Sequence, residues 1–158
     1  MPSSGGIFFG RTIFHLATNL FVYGTLLIDD LFHRIVKGRY QKMPGTITGY
    51  ARRKVINQVY PALITSMTID EEVSGAIYLK ISDEDIRRLD HFEGEMYQRT
   101  AVIVHIHPNQ TWNAETYVCM EGFLHLVDTR TWSPANFSEE ARTRFLKEFP
   151  GWGIDLTG

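Results

Sequence analysis

Residues 73–94 read VSGAIYLKISDEDIRRLDHFEG, and two periodicities meet inside them. From Val73 to Ile81 the pattern alternates well enough for a strand. At Ser82 the period changes. Ser82 and Asp85 have the spacing of a capping box, with Asp in place of the usual Glu. Ile86, Leu89 and Phe92 then recur at helical intervals, and Gly94 stops the helix. A second convincing strand, Gln98 to His105, follows almost at once.

Outward from this stretch the chain is rich in strands. Leu20-Phe21-Val22-Tyr23 is a β-branched and aromatic run. Thr46–Ala51, Arg53–Ile56, Tyr60–Ile64 and Glu115–Met120 add more, with Met43-Pro44-Gly45 as a turn and Asn57 as another. Asp29 to Val36 reads as a short helix capped by Asp29 or Asp30 and ended by Gly38. Ser138 to Phe149 reads as an amphipathic helix with Phe145, Leu146 and Phe149 on its inner face, stopped by Pro150-Gly151. Many strands, two or three short helices and no βαβ rhythm predict an α+β fold with a curled or barrel-like sheet. Residues 1–17 read as a loose tail before a single domain of residues 18–158. Ile7–Phe9 and Thr12–Phe14 equally tolerate an extra edge strand.

The 158 residues suffice for one domain with a real core. Charged residues make up 22%, and 16 basic against 18 acidic residues leave a net charge of −2. That balance offers neither the basic excess of a nucleic-acid binder nor a basic block for a membrane surface. No apolar run approaches the roughly 20 residues of a membrane helix, and Gly10 and Arg11 interrupt the early apolar stretch that a secretory signal would keep whole. The only cysteine, Cys119, permits no internal disulfide and suits a reducing, cytoplasmic compartment.

Several segments are candidates for chemistry. Residues 89–99, LDHFEGEMYQR, form the densest polar cluster and fall at a helix-to-strand junction. Glu93 shares a helical face with Ile86 and Leu89, whereas Asp90 and Glu95 stay wet. A carboxylate held among apolar side chains has its charged form disfavoured, which makes it a useful base near neutral pH. The same residues also fit a plain helix end with solvated charges. In LFVYGTLL (residues 20–27), Gly24 after Tyr23 marks either a turn or an anion-binding concavity of freed amide groups. His105 and His107 lack a third ligand at a persuasive spacing and read as an exposed strand end. Cys119 reads as a small core residue. Ser66, Ser74 and Ser82 lack nucleophile-elbow glycines, and Arg52-Arg53-Lys54 reads as a solvated strand end.

Two of these segments together carry a resemblance. Tyr23-Gly24-Thr25-Leu26, followed by Leu89-Asp90-His91-Phe92-Glu93-Gly94 and Tyr97-Gln98-Arg99, resembles the gamma-glutamylcyclotransferase superfamily. Gly49-Tyr50, Tyr60-Pro61-Ala62 and Gly75-Ala76-Ile77-Tyr78 between them strengthen the likeness, which spans roughly residues 19–120. The nearer likeness is to the gamma-glutamylamine cyclotransferase and bacterial branch. Thr25-Leu26 departs from the Ser-Asn of the branch that degrades gamma-glutamyl amino acids, so the substrate is expected to differ from that branch's.

The resemblance implies a small mixed barrel with flanking helices and a small-molecule gamma-glutamyl substrate that is cyclised to 5-oxoproline. It implies that Glu93 is the catalytic carboxylate and that Tyr23, Gly24, Thr25 and Leu26 bind the glutamyl end through backbone donors. Tyr97 is expected to shape the pocket or bond to Glu93. Arg99 is expected either at the substrate or in an ion pair with Asp90 or Glu95. Neither a metal nor a cofactor is expected. A binding or sensor module built on the same pocket, and an enzyme acting on another small conjugate, use the same residues.

Overall fold

The computed structural model describes residues 17–148 except residue 69, together with the backbone of residues 6–9 and 12–15. Five strands close a barrel in the order β3 (Thr18–Val22), β7 (Glu72–Ile81), β4 (Lys42–Thr48), β8 (Tyr97–Ile106), β9 (Gln110–Cys119). Four of the junctions are antiparallel. The fifth, β3 beside β9, is parallel and closes the ring, with Leu20 opposite Glu115. A second sheet holds β10 (Val127–Thr131), β5 (Tyr50–Val55) and β6 (Pro61–Thr65) in that order. The helices are α1 (Asp29–Ile35), α2 (Asp83–Glu93) and α3 (Glu139–Glu148). The α+β, barrel-like architecture expected from the sequence is the one found.

Burial on both faces explains why β3 and β7 read as near-continuous apolar runs. Successive side chains on a strand point to opposite faces. Phe21, Ile77 and Leu79 point into the barrel with Ile47, Val102, Val104 and Ala114. Leu20, Val22, Ala76 and Tyr78 point outward, where Leu31, Phe32, Ile35, Ile86, Leu89 and Phe145 of the three helices cover them. The rings of Phe32 and Tyr78 stack with centroids 3.7 Å apart.

Helix α2 is fastened at its start as well as packed along its side. Ser82 Oγ accepts the Asp85 N–H at 3.1 Å, as the capping pattern predicts. Asp85, almost fully buried, accepts from the N–H groups of Lys37 and Gly38 and, at 2.6 Å, from the Tyr40 hydroxyl. Buried Arg88 is paired with Asp85 and Glu84, each at 2.7 Å. These bonds tie the helix to the segment after α1 and fix where its far end, Glu93, comes to rest.

Some local expectations change. Met43-Pro44-Gly45 lies inside β4 rather than in a turn, because its residues pair along β7 from Lys42 opposite Tyr78 to Thr48 opposite Glu72. The chain breaks instead at Gly49, and residues 50–55 form one strand. Helix α1 is capped by Ile28, with Asp29 and Asp30 in its first turn. β10 was not foreseen. Residues 6–9 and 12–15 pair as an antiparallel hairpin, β1 with β2, the extended alternative for that segment. The expectations at Phe149 and Pro150-Gly151 fall outside the described residues.

Close approach of β7 to β3 requires glycine at position 75. A Cβ there would stand 2.2 Å from the Val22 carbonyl oxygen and 2.8 Å from the Phe21 ring. Gly75→Ala is therefore expected to destabilise the fold by about 2–3 kcal/mol through overpacking, read as a lower urea midpoint at unchanged slope.

Candidate functional site

The pocket forms where β3 leaves the barrel. After Val22 the chain runs through Tyr23 and Gly24 into a short 3-10 turn, Thr25–Leu27, closed by Leu27 N–H to Gly24 O at 2.9 Å. Phe21, Val22, Tyr23, Gly24, Thr25 and Leu26 line one side, and Tyr60, Pro61, Glu93 and Tyr117 the other. The cavity between these walls is narrow, about 20 Å³, and opens to solvent. All four residues of the Tyr23–Leu26 motif are thus brought together with Glu93.

Glu93 is the last residue of α2 and is largely covered. Its carboxyl is pushed up from the usual 4.5 to about 8, first by burial away from water and then by the nearby charge of Asp90. Among the described residues no donor is bonded to its oxygens, which leaves them to whatever enters the pocket. Burial first, with the charge of Glu93 among the further causes, raises the hydroxyl pKa of Tyr60, Tyr97, Tyr117 and Tyr23. All four phenols stay protonated at neutral pH, as donors rather than bases.

Those hydroxyls have structural tasks. Tyr23 Oη donates to the Tyr117 carbonyl at 2.6 Å, across the β3–β9 seam. Tyr97 Oη donates to the Pro61 carbonyl at 2.8 Å. Tyr97 therefore holds the opposite wall of the pocket and does not bond Glu93. Tyr117 Oη donates to Asp90 Oδ1 at 2.7 Å. Asp90 keeps contact with solvent, its side chain 40% exposed, and is not left there unpaired. It receives both Tyr117 and Arg99, the latter through Nε at 2.7 Å and Nη2 at 3.1 Å. Arg99 also pairs with the buried Glu115 of β9. Of the two roles foreseen for Arg99, the structure places it in the ion pair with Asp90, in a cleft that adjoins the pocket across Tyr117. Glu95 is exposed.

Gly24 has a plainer reason to be glycine than ligand approach alone. A Cβ would lie 2.6 Å from Pro61 Cγ and 2.8 Å from Cδ, so the two walls of the pocket touch there. Sequence reasoning missed Pro61, Tyr60 and Tyr117 as lining residues. Trp132 stands behind them, its indole N–H donating to the Val59 carbonyl at 2.8 Å. Only the Tyr60-Pro61-Ala62 signature gave a sign of that wall. Cys119 is buried beside Val55 and Ala62. His105 is exposed and β8 stops at Ile106. Among the described residues no helix is long and apolar enough to cross a membrane.

The raised carboxyl pKa has a consequence for stability. Between the unfolded value near 4.5 and the folded value near 8, the native state binds the extra proton. Stability therefore falls as pH rises through that window, at up to about 1.4 kcal/mol per unit. Glu93→Gln, which removes the titration, is expected to become progressively more stable than wild type from pH 5 to 8 and to keep a constant advantage above. Urea midpoints at pH 5, 7 and 9 measure this. An advantage that shrinks as pH rises contradicts it.

Comparison with known proteins bears on the family and the fold. Residues 20–134 match the family described as Gamma-glutamyl cyclotransferase, AIG2-like. AIG2-like protein D of Arabidopsis thaliana is 33% identical over 86 residues, 54% of this chain and 55% of that protein, so the match spans little more than half of that relative's length. A solution structure from the same plant aligns at a TM-score of 0.60 with 28% identity, covering 84% of this chain and 77% of the other. The crystal structure of an AIG2-like protein from Mus musculus aligns at 0.55 with 25% identity, over 75% of this chain and 90% of the other. With its Tyr23–Leu26 loop facing Glu93 inside the matched region, the chain belongs to the Gamma-glutamyl cyclotransferase, AIG2-like family.

Proposed function

We propose that the protein cyclises a gamma-glutamyl amine or gamma-glutamyl peptide, releasing 5-oxoproline and the free amine. The observation that carries the reading is a single carboxyl of raised pKa, Glu93, facing a backbone loop of freed donors across a small pocket. The substrate brings its own nucleophile, because attack of its α-amine on the γ-carbonyl closes a five-membered ring. Holding the chain folded supplies much of the advantage of an intramolecular reaction, worth up to several kcal/mol of barrier.

Glu93 removes a proton from the α-amine as nitrogen attacks the carbonyl carbon. The oxyanion that forms is met by main-chain N–H groups of the Tyr23–Leu26 loop. Protonated Glu93 then returns the proton to the leaving nitrogen as the C–N bond breaks, so the carboxylate is regenerated. Proton uptake and release balance on one residue, with no nucleophilic side chain needed. Tyr23 and Tyr97 support the reading as residues that hold the two pocket walls. Arg99, bonded to Asp90, acts through the helix end and not on the substrate. The gamma-glutamylamine likeness of the sequence makes a gamma-glutamyl amine the first substrate to try, and the lone Cys119 suits a cytoplasmic setting.

The test is incubation with gamma-glutamyl-ε-lysine, several gamma-glutamyl amino acids and glutathione, with 5-oxoproline followed by mass spectrometry. Wild type is expected to form product from at least one member. Glu93→Gln, folded by circular dichroism, is expected to lose at least ~100-fold in kcat. Turnover by Glu93→Gln at the wild-type rate would exclude Glu93 as the base. A ligand bound by intact wild type without product would instead favour a binding module.

A further inference from the structure

Arg52 lies in β5, within a basic run whose simplest reading is a solvated strand end. Its neighbour Arg53 fits that picture, paired with Glu71 at 2.9 Å. Arg52 does not. Its guanidinium is half-buried and spends its donors on three carbonyl groups from three segments. Nη1 donates to Tyr23 O and to Ser74 O, each at 2.9 Å, and Nε donates to Trp132 O at 3.1 Å. The plane also lies over the Trp132 ring, 5.4 Å from its centroid. Burial pulls its pKa down, so the arrangement is held against a desolvation cost.

We propose that Arg52 is a positioning residue: by holding the Tyr23 carbonyl it sets the Tyr23–Gly24 peptide so that the Gly24 N–H faces the pocket as a donor to the substrate's oxyanion. This rests on the cyclisation proposed above. The peptide is trans, so its C=O and N–H point in opposite directions. With the carbonyl turned to Arg52, which does not line the pocket, the N–H of Gly24 is turned the other way, and Gly24 does line it. Among the described residues that N–H has no backbone acceptor. Leu26 N–H does not take up the Tyr23 carbonyl to continue the turn either, so the guanidinium replaces a backbone partner. A charge-assisted bond to the carbonyl also polarises the peptide and strengthens its N–H as a donor. Through Trp132 and the Val59 carbonyl the same guanidinium is linked to the Tyr60–Pro61 wall, so both sides of the pocket are referred to one cation.

The experiment compares wild type, Arg52→Gln and Arg52→Lys in two readouts: kcat and KM on a gamma-glutamyl substrate that wild type accepts, and the ¹⁵N amide shift of Gly24. Loss of a full oxyanion donor costs about 100–1000-fold in kcat, and a misdirected one less. Arg52→Gln is expected to lose ~10–100-fold in kcat with KM within ~3-fold, and to move the Gly24 resonance upfield. Arg52→Lys, which reaches fewer carbonyls, should fall between. A folded Arg52→Gln with wild-type kcat, a loss confined to KM, or an unmoved Gly24 resonance overturns the proposal. If wild type turns over no substrate, the cyclisation reading fails, while the Gly24 shift still decides the positioning claim. If Arg52→Gln does not fold, Arg52→Lys decides it by the same readouts.

Discussion

The parallel seam between β3 and β9 is the contact on which the rest of the molecule depends. Every other pair of neighbours in the barrel is antiparallel, and only this one brings an early strand alongside the last strand of the ring. Two buried hydroxyls lock it: Thr116 Oγ1 to Phe21 O at 2.8 Å, and Tyr23 Oη to Tyr117 O at 2.6 Å. A hydroxyl buried away from water needs such a partner, and a missing one costs about 1–3 kcal/mol. The seam is thus fixed in register at the point where Tyr23 hands the chain to the Gly24 turn. Without closure the Tyr23–Leu26 loop and Tyr117 would not share a pocket.

Charge is then arranged around the end of α2 so that two carboxylates one turn apart behave differently. Asp90 is bonded by Tyr117 and bidentately by Arg99. Glu93 has no such partner among the described residues and is desolvated in the pocket beside that fixed negative charge. Pairs of titratable groups whose surroundings differ in this way mark where acid and base chemistry is possible. Arg88 at the middle of the helix holds the arrangement steady, buried and paired with Glu84 and Asp85 of the first turn.

Local pattern revealed what local chemistry controls. The change of period at Ser82, the Ser82 cap and the stop at Gly94 were all legible, because each is written in residues within one or two turns of the event. Glu93 was legible as an inward carboxylate from the same helical phase. What escaped depended on contacts between segments far apart in the chain. Met43-Pro44-Gly45 looks like a turn until β7 lies beside it and pairs it residue by residue. Arg52 looks solvated until the Tyr23, Ser74 and Trp132 carbonyls converge on it. Gly24 was assigned to ligand approach, and its nearest constraint proves to be the Pro61 ring, 37 residues further on.

The central claim is that Glu93 sits protonated or ionised according to pH near neutrality. It is tested most directly by a ¹³C titration of the glutamate side-chain carboxyls, with the Glu93 resonance assigned by its loss in Glu93→Gln. The structure predicts a midpoint near 8 for that one carboxyl. A midpoint near 4.5, the ordinary value for an exposed glutamate, would contradict the site as described.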